Sequence, residues 1–218
     1  MAFEDFTTYT AVTSGATVAI AASSVSFTAV PTRDNLAYVY KDTNIGANGT
    51  WNFDIAVSAC ATAYSGELVM WGITDSISGT GFYDWTNGAF VYIYVDATAN
   101  KYWVGIGEAI DGTGFTAVGD SYQFVDDTTE YCTMIKALTV LTLNIYADSA
   151  RTSLTTSVGG VFDGALGVYN KYYAYAGRDV NTVGRLMSGK SMNHEFITPT
   201  AATAVAFMSP NTFYWGGG

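Results

Sequence analysis

An all-β, antiparallel sandwich is the fold class this chain predicts, on three observations. Several segments alternate apolar and polar residues with period two. Turn-forming residues recur about every 8–12 positions. No segment keeps a helical period over three turns. Together these give about twelve strands in a layered antiparallel arrangement.

Residues 131–153 carry the clearest signal. Leu141, Leu143, Ile145 and Ala147 fall on one face, and Val140, Thr142, Asn144 and Tyr146 on the other. Asp148, Ser149 and Ala150 then form a turn. In chain order, residues 17–21 and 25–30 read as two short strands. Pro31 ends the second because it cannot donate to a ladder. Residues 37–41 form the next strand, which Lys41 and Asp42 return to water. Residues 44–50 (NIGANGT) read as a loop. Trp51, Phe53, Ile55 and Val57 alternate inward. Residues 67–74 (ELVMWGIT) are apolar enough to be covered on both faces. Residues 75–88 form a glycine-rich loop with exposed aromatics, and residues 90–96 pair with 102–107 as a hairpin. The string GTGF occurs twice, but its flanks do not align, so it reads as repeated turn chemistry rather than as an internal repeat. Gly159-Gly160 and Asp163-Gly164 read as turns. Residues 169–177 and 183–197 supply the last strands.

Composition narrows the function. With 218 residues, 49% hydrophobic and 15% aromatic, one domain with a sizeable core is expected. Only 13% of residues are charged, well below the roughly 25% usual for soluble domains. That suits β-proteins that pack against copies of themselves, and equally an ordinary domain with a neutral surface. The net charge of −10 argues against nucleic acid and anionic membranes, which need clustered Lys and Arg. Residues 1–130 hold 15 acidic and 3 basic side chains, and residues 131–218 hold 4 and 6. That split could orient one subunit on the next, or merely reflect acidic loops placed early. The N-terminal MAFEDFTTYT lacks a basic region followed by an apolar core, so no signal peptide is expected, and no run of 18 apolar residues suggests a membrane span.

Cys60 and Cys132 both lie in predicted strands and read as buried free thiols, with one bridge between facing strands as the alternative. There is no CxxC pair and only one histidine, His194, so no structural zinc and no other cofactor is expected. His194 itself reads as a surface or strand-end residue.

Three blocks resemble the concanavalin A-like, laminin-G-like jelly-roll domains found in tailed-phage virion proteins. They are FTTYT with VSFTAVPTRDNLAYVYKD, then WNFDIAVSACATAYSGELVMWG, then LTLNIYADSARTSLTTSV with YNKYYAYAGRD. The LTLNIYADSARTSL string is the most specific. The resemblance implies two stacked antiparallel sheets, one concave, with a face on which glycan can bind. It also implies a virion setting; folding in the host cytoplasm is the expectation from the missing signal-peptide pattern. Two departures stand out: Ala137-Leu138-Thr139 is apolar where a polar turn is usual, and the chain continues past residue 197. The Glu-x-Asp-x-x-Glu strand of the superfamily's glycanases is absent, so their activity is not implied.

Candidate chemistry is sparse. Asp54, Asp84, Glu108 and Asp111 could supply the two carboxylates of a glycosidase, but nothing pairs them, and most read as turn and surface acids. Adjacent Asp126 and Asp127 are weak support for calcium. Tyr83, Asp84, Trp85 and Asn87 in one loop, with Trp103 on the next hairpin, join aromatic rings to carboxylate and amide as glycan binding requires. Loop aromatics serve equally well in a protein interface. Residues 199–218 are uncharged and contain Phe207, Phe213, Tyr214 and Trp215, which would be costly to expose. They read as a docking arm appended to a domain of residues 1–198. The expected function is therefore a non-enzymatic virion surface protein, such as a capsid-decorating protein. Its partners would be copies of itself and virion proteins such as a major capsid protein. The alternative is a module binding cell-surface glycan.

Overall fold

The structure is a computed structural model. It describes residues 3–13, 18–31, 37–61, 66–75, 85–95, 102–110, 115–125, 127–162, 169–177 and 186–197. Tyr83, Asp84, Asp111, Asp126 and the whole of the 199–218 arm, with Phe207, Phe213, Tyr214 and Trp215, lie outside the described residues.

A short 3-10 turn, Phe6–Thr8, comes first, capped by Asp5. Fourteen strands follow among the described residues: β1 (Thr10–Thr13), β2 (Val18–Ala21), β3 (Ser24–Pro31), β4 (Ala37–Ile45), β5 (Asn48–Ala61), β6 (Gly66–Thr74) and β7 (Asn87–Val95), then β8 (Tyr102–Ile110), β9 (Phe115–Phe124), β10 (Thr129–Ala137), β11 (Val140–Tyr146), β12 (Leu154–Val161), β13 (Tyr169–Ala176) and β14 (Leu186–Ile197). They form two seven-stranded sheets, ordered β1-β4-β13-β6-β7-β8-β9 (the first sheet) and β12-β11-β10-β5-β14-β3-β2 (the second). Every pairing among them is antiparallel.

The predicted alternation sets the core. Trp51, Phe53, Ile55 and Val57 of β5 and Leu141, Leu143 and Ile145 of β11 are all buried. Each such side chain contributes roughly 1.5–3 kcal/mol of transfer free energy. Ala147 is exposed instead, because β11 ends one residue earlier.

Three strands, β1, β9 and β12, were not visible in the sequence, and all are edges. β1 is only four residues long. β12 contains Gly159-Gly160, read above as a turn. These glycines sit where the edges of the two sheets meet. A Cβ on Gly119 of β9, which has φ of +74°, would lie 2.0 Å from the Gly159 carbonyl oxygen. The close approach, not chain reversal, accounts for the glycines.

The first sheet is apolar on both faces. Its inner residues join the main core. Its outer face carries Tyr38, Val69, Phe90, Tyr92 and Tyr173, with Trp85 packed among them. Phe90 lies flat because Gly107 of β8 leaves room: a Cβ there would meet the ring at 2.3 Å.

The second sheet has a polar outer face, and its organiser is the 147–153 turn within the LTLNIYADSARTSL string. The Asp148 carboxylate accepts from the amides of Thr152 and Ser153, at 3.2 and 2.7 Å. Arg151, at φ +56°, then reaches across β10 to β5. Its Nε donates to the Cys132 carbonyl at 3.3 Å, and one Nη donates to the Phe53 carbonyl at 3.3 Å and to Asp54 Oδ1 at 2.5 Å. Asn193 of β14 donates to Asp54 Oδ2 at 2.7 Å. Asp54 is therefore a buried, fully engaged carboxylate and not the surface acid expected above.

Cys132 is a buried free thiol. It lies opposite Phe53, while Cys60 lies seven residues further along β5 opposite Met187, about 23 Å away at strand rise. A bridge between the two is ruled out by that separation.

Replacing Arg151 by alanine strands the Asp54 carboxylate. We expect Arg151→Ala to lower the unfolding free energy by about 3 kcal/mol in urea titration, with Arg151→Lys recovering part of the loss. A cost under about 0.5 kcal/mol would contradict this role.

Candidate functional site

The structure disperses the site expected from sequence. Trp85 is only 1% exposed. Its ring lies tilted 4.6 Å from Tyr173 and edge-on 5.6 Å from Phe90, so it is a core residue of the outer layer, not an exposed platform. Asn87 is half-buried at the start of β7, and its amide donates to Asp75 at 2.8 Å. Trp103 is half-buried on β8 opposite Tyr94. These three are not brought together around an open cleft.

An open polar site lies instead at the far end of β4. The sequence reading ended this strand at Lys41 and placed a loop over residues 44–50, yet the strand runs to Ile45 and β5 begins at Asn48. β1 pairs only with residues 37–40 of β4, so residues 41–45 have no ladder partner on that side among the described residues. Alternation sends Asp42 and Asn44 outward, where they are exposed, while Lys41, Thr43 and Ile45 turn toward the sheet interface.

Two hollows flank this rim. On the outer side a shallow depression of about 560 Å3 is lined by Asp42, Thr43, Asn44, Asn170 and Lys171. Lys171 forms an ion pair with Asp42 and lies 5.8 Å from the Tyr40 ring centroid. Tyr40 stacks on Tyr173 at 5.4 Å. On the inner side a cleft of about 80 Å3 is lined by Glu4, Lys41, Thr43, Asn44, Ile45, Trp51, Tyr172 and Phe196. Glu4 and Lys41 form an ion pair there, and Trp51 and Phe196 make a ring pair at 5.2 Å. Thr43 and Asn44 belong to both hollows. A third hollow, on the second sheet, has Lys190 as its one charged lining residue and no exposed ring.

The rim is held from beneath. Lys136 of β10 is 1% exposed, and its ammonium donates to the carbonyls of Gly46 and Ala47 at 3.1 and 2.7 Å. That clips the two-residue turn after β4 to the sheet below. Burial lowers the Lys136 pKa from its ordinary value. Nothing in the local sequence marks this lysine as interior.

Behind the inner cleft lies His194, wholly buried, contrary to the surface position expected. Ser191 Oγ donates its single proton to the Met70 carbonyl at 2.8 Å. In its 2.7 Å contact with His194 Nε2 it must therefore accept. This assigns the proton to Nε2 and leaves Nδ1 to accept from the Tyr172 hydroxyl at 2.6 Å. Burial first, and the Lys41 charge second, lower the histidine pKa to about 3. Burial pushes the Tyr172 hydroxyl well up, so it donates rather than ionises. Ser191 and His194 are thus not a nucleophile and base: Nε2 already carries a proton, and the serine is fully buried.

The carboxylates do not form a glycosidase pair among the described residues. Asp54 is on the outer face of the second sheet. Glu108 is 5% exposed and, between outward Gly107 and Ala109, points into the sandwich near Tyr169, whose hydroxyl its charge helps push up. It too is no surface acid. Among the described residues no group of three or more His, Cys, Asp or Glu is placed to hold a metal ion, and no helix is long and apolar enough to cross a membrane.

No family model matches the chain. No curated protein matches its sequence. Solved structures do match. The legume lectin-like domain from Entamoeba histolytica aligns at TM-score 0.58 and 9% identity, covering 87% of this chain and 89% of that one. Lectin II from Ulex europaeus aligns at TM-score 0.55 and 10% identity, covering 86% and 91%. The exoplasmic/lumenal domain of VIP36, in its Ca2+- and Man3GlcNAc-bound form, aligns at 0.55 and 8%, covering 90% and 89%. The fold is a concanavalin A-like jelly roll. The likeness covers 86–90% of this chain and 89–91% of those.

The His194 network sets an acid limit. The unfolded histidine titrates near 6.5 and the folded one near 3, so the unfolded state binds more protons between those values. Stability is lost as pH falls through that window. Urea titrations at pH 7 and 4.5 should differ by about 2–3 kcal/mol more in the native protein than in His194→Gln. Equal differences would contradict a buried neutral histidine.

Proposed function

We propose that this protein is a non-enzymatic glycan-binding domain and that the β4 rim seats the sugar. One observation carries the reading: the end of β4, which has no ladder partner on one side among the described residues, and its neighbour β13 on the other side present Asp42, Asn44, Asn170 and Lys171 around a shallow depression of about 560 Å3. Carboxylate, amide and ammonium groups suit sugar hydroxyls. Tyr40 beside them suits the apolar face of a pyranose. The similar solved structures include lectin II from Ulex europaeus and a VIP36 domain bound to Man3GlcNAc, which makes glycan the first ligand class to test. No second role in catalysis is needed to account for these residues.

A second reading has its own support. Leu138, Val140 and Val161 are exposed, at 64, 41 and 65%, with Val140 and Val161 paired in register on β11 and β12. Leu154 of β12 is exposed as well, at 56%, and the strand carries no charge (LTTSVGGV). That favours packing against copies of this chain, as on the phage particle implied by the sequence resemblance.

Glycan-array binding, followed by affinity measurement on the best glycan, separates the two. Asp42→Asn and Asn44→Ala should each weaken binding at least about tenfold, the worth of one or two lost polar contacts. Trp103→Ala should leave it unchanged. Loss on Trp103→Ala alone would move the site to the Tyr94 face. No glycan binding by a chain that elutes as a multimer would favour the second reading.

A further inference from the structure

We propose that the sugar bound at the β4 rim carries an acetamido group, and that the inner cleft is the pocket that receives it. This rests on the glycan-binding reading of the rim and narrows its ligand.

The cleft is too small for a sugar ring. At about 80 Å3 it lies far below the few hundred Å3 of sites that enclose whole ligands. It shares Thr43 and Asn44 with the outer depression. A ring resting outside can therefore send one small substituent over the unpaired edge of β4. The walls say which substituent. Ile45, Trp51 and Phe196 make one side apolar and aromatic, which suits a methyl group. The other side is the Glu4–Lys41 ion pair.

An amide matches that pair group for group. Its N–H meets the Glu4 carboxylate, and its carbonyl meets the Lys41 ammonium. Both partners have capacity to spare. Glu4 accepts from Tyr9 at 3.1 Å and from Lys41, two of about four lone-pair positions. Lys41 spends one of three donors on Glu4. A hydroxyl would leave the aromatic wall uncovered. A deoxy sugar would offer a methyl but nothing for the ion pair. An acidic substituent would meet a pair that is already neutral, on a chain of net charge −10.

Saturation-transfer NMR and affinity measurement on the full chain test this. The probes are N-acetylglucosamine, N-acetylgalactosamine and N-acetylmannosamine, each against its parent sugar, with fucose as the methyl-only control. At least one acetylated sugar should bind at least about tenfold tighter than its parent, with the acetyl methyl the most strongly saturated group. Phe196 is 42% exposed, so Phe196→Ala should fold. It should erase the preference. Glu4→Gln should reduce the preference in the same direction and serves if the first variant misfolds. Equal binding of parent and acetylated sugars, sensitive to Asp42→Asn, would overturn the acetamido pocket and leave the rim standing. Equal binding of fucose, or an unchanged preference in both variants, would also overturn it. No binding of any sugar would overturn both.

Discussion

The two sheets are joined through their interior by one chain of hydrogen bonds, and the rim depends on it. Tyr172 of the first sheet donates to His194 of the second, His194 donates to Ser191, and Ser191 donates back to Met70 of the first sheet. A β-sandwich core is otherwise non-directional apolar contact, which resists separation better than sliding. A satisfied polar chain at this depth fixes register as well as spacing, and it is costly to break. The same residues position the site: Glu4 donates its amide to the His194 carbonyl at 2.7 Å, and Tyr172 walls the inner cleft. The N-terminal segment is held by this network at the place where β4 lacks a strand partner.

Two further devices act at a distance from that centre. Arg151 draws the β11–β12 turn onto β5 and, through Asp54, ties in β14. Lys136 holds the turn between β4 and β5 from below. Both are cations spent mainly on backbone carbonyls and one buried carboxylate, in a chain with only nine basic residues. On the first sheet, flat rings over Gly107 make the outer face a second apolar layer. That explains why the Trp85 ring is inside, and why the accessible polar groups collect at the rim.

What could be read from the sequence was what period two encodes. β5 and β11 followed from alternation, β7 and β8 from the hairpin reading of residues 90–96 and 102–107, and β6, covered on both faces, from its unbroken apolar run. The paired sheets and jelly-roll identity followed from the LTLNIYADSARTSL string. That string's physical content, Arg151 reaching Asp54, was not legible, because the partners are 97 residues apart. The errors have the same origin. Asp54, Glu108 and His194 are polar types that usually sit outside, and only long-range partners reveal them as interior. Gly159-Gly160 looked like a turn because close approach between edges leaves no local mark. The rim was half legible: Lys41, Thr43 and Ile45 alternate with Asp42 and Asn44, so the strand could have been extended. Glu4, Asn170 and Phe196 reach it only through the fold.

The proposed glycan-contacting surface of this jelly roll is the end of β4. Backbone amide NMR of the full chain, titrated with an N-acetylated oligosaccharide, measures that directly. The account expects progressive shifts in residues 41–45, 170–171 and 196, with little change around Tyr94 and Trp103. Shifts centred on Tyr94 and Trp103, or none at saturating sugar, would contradict it.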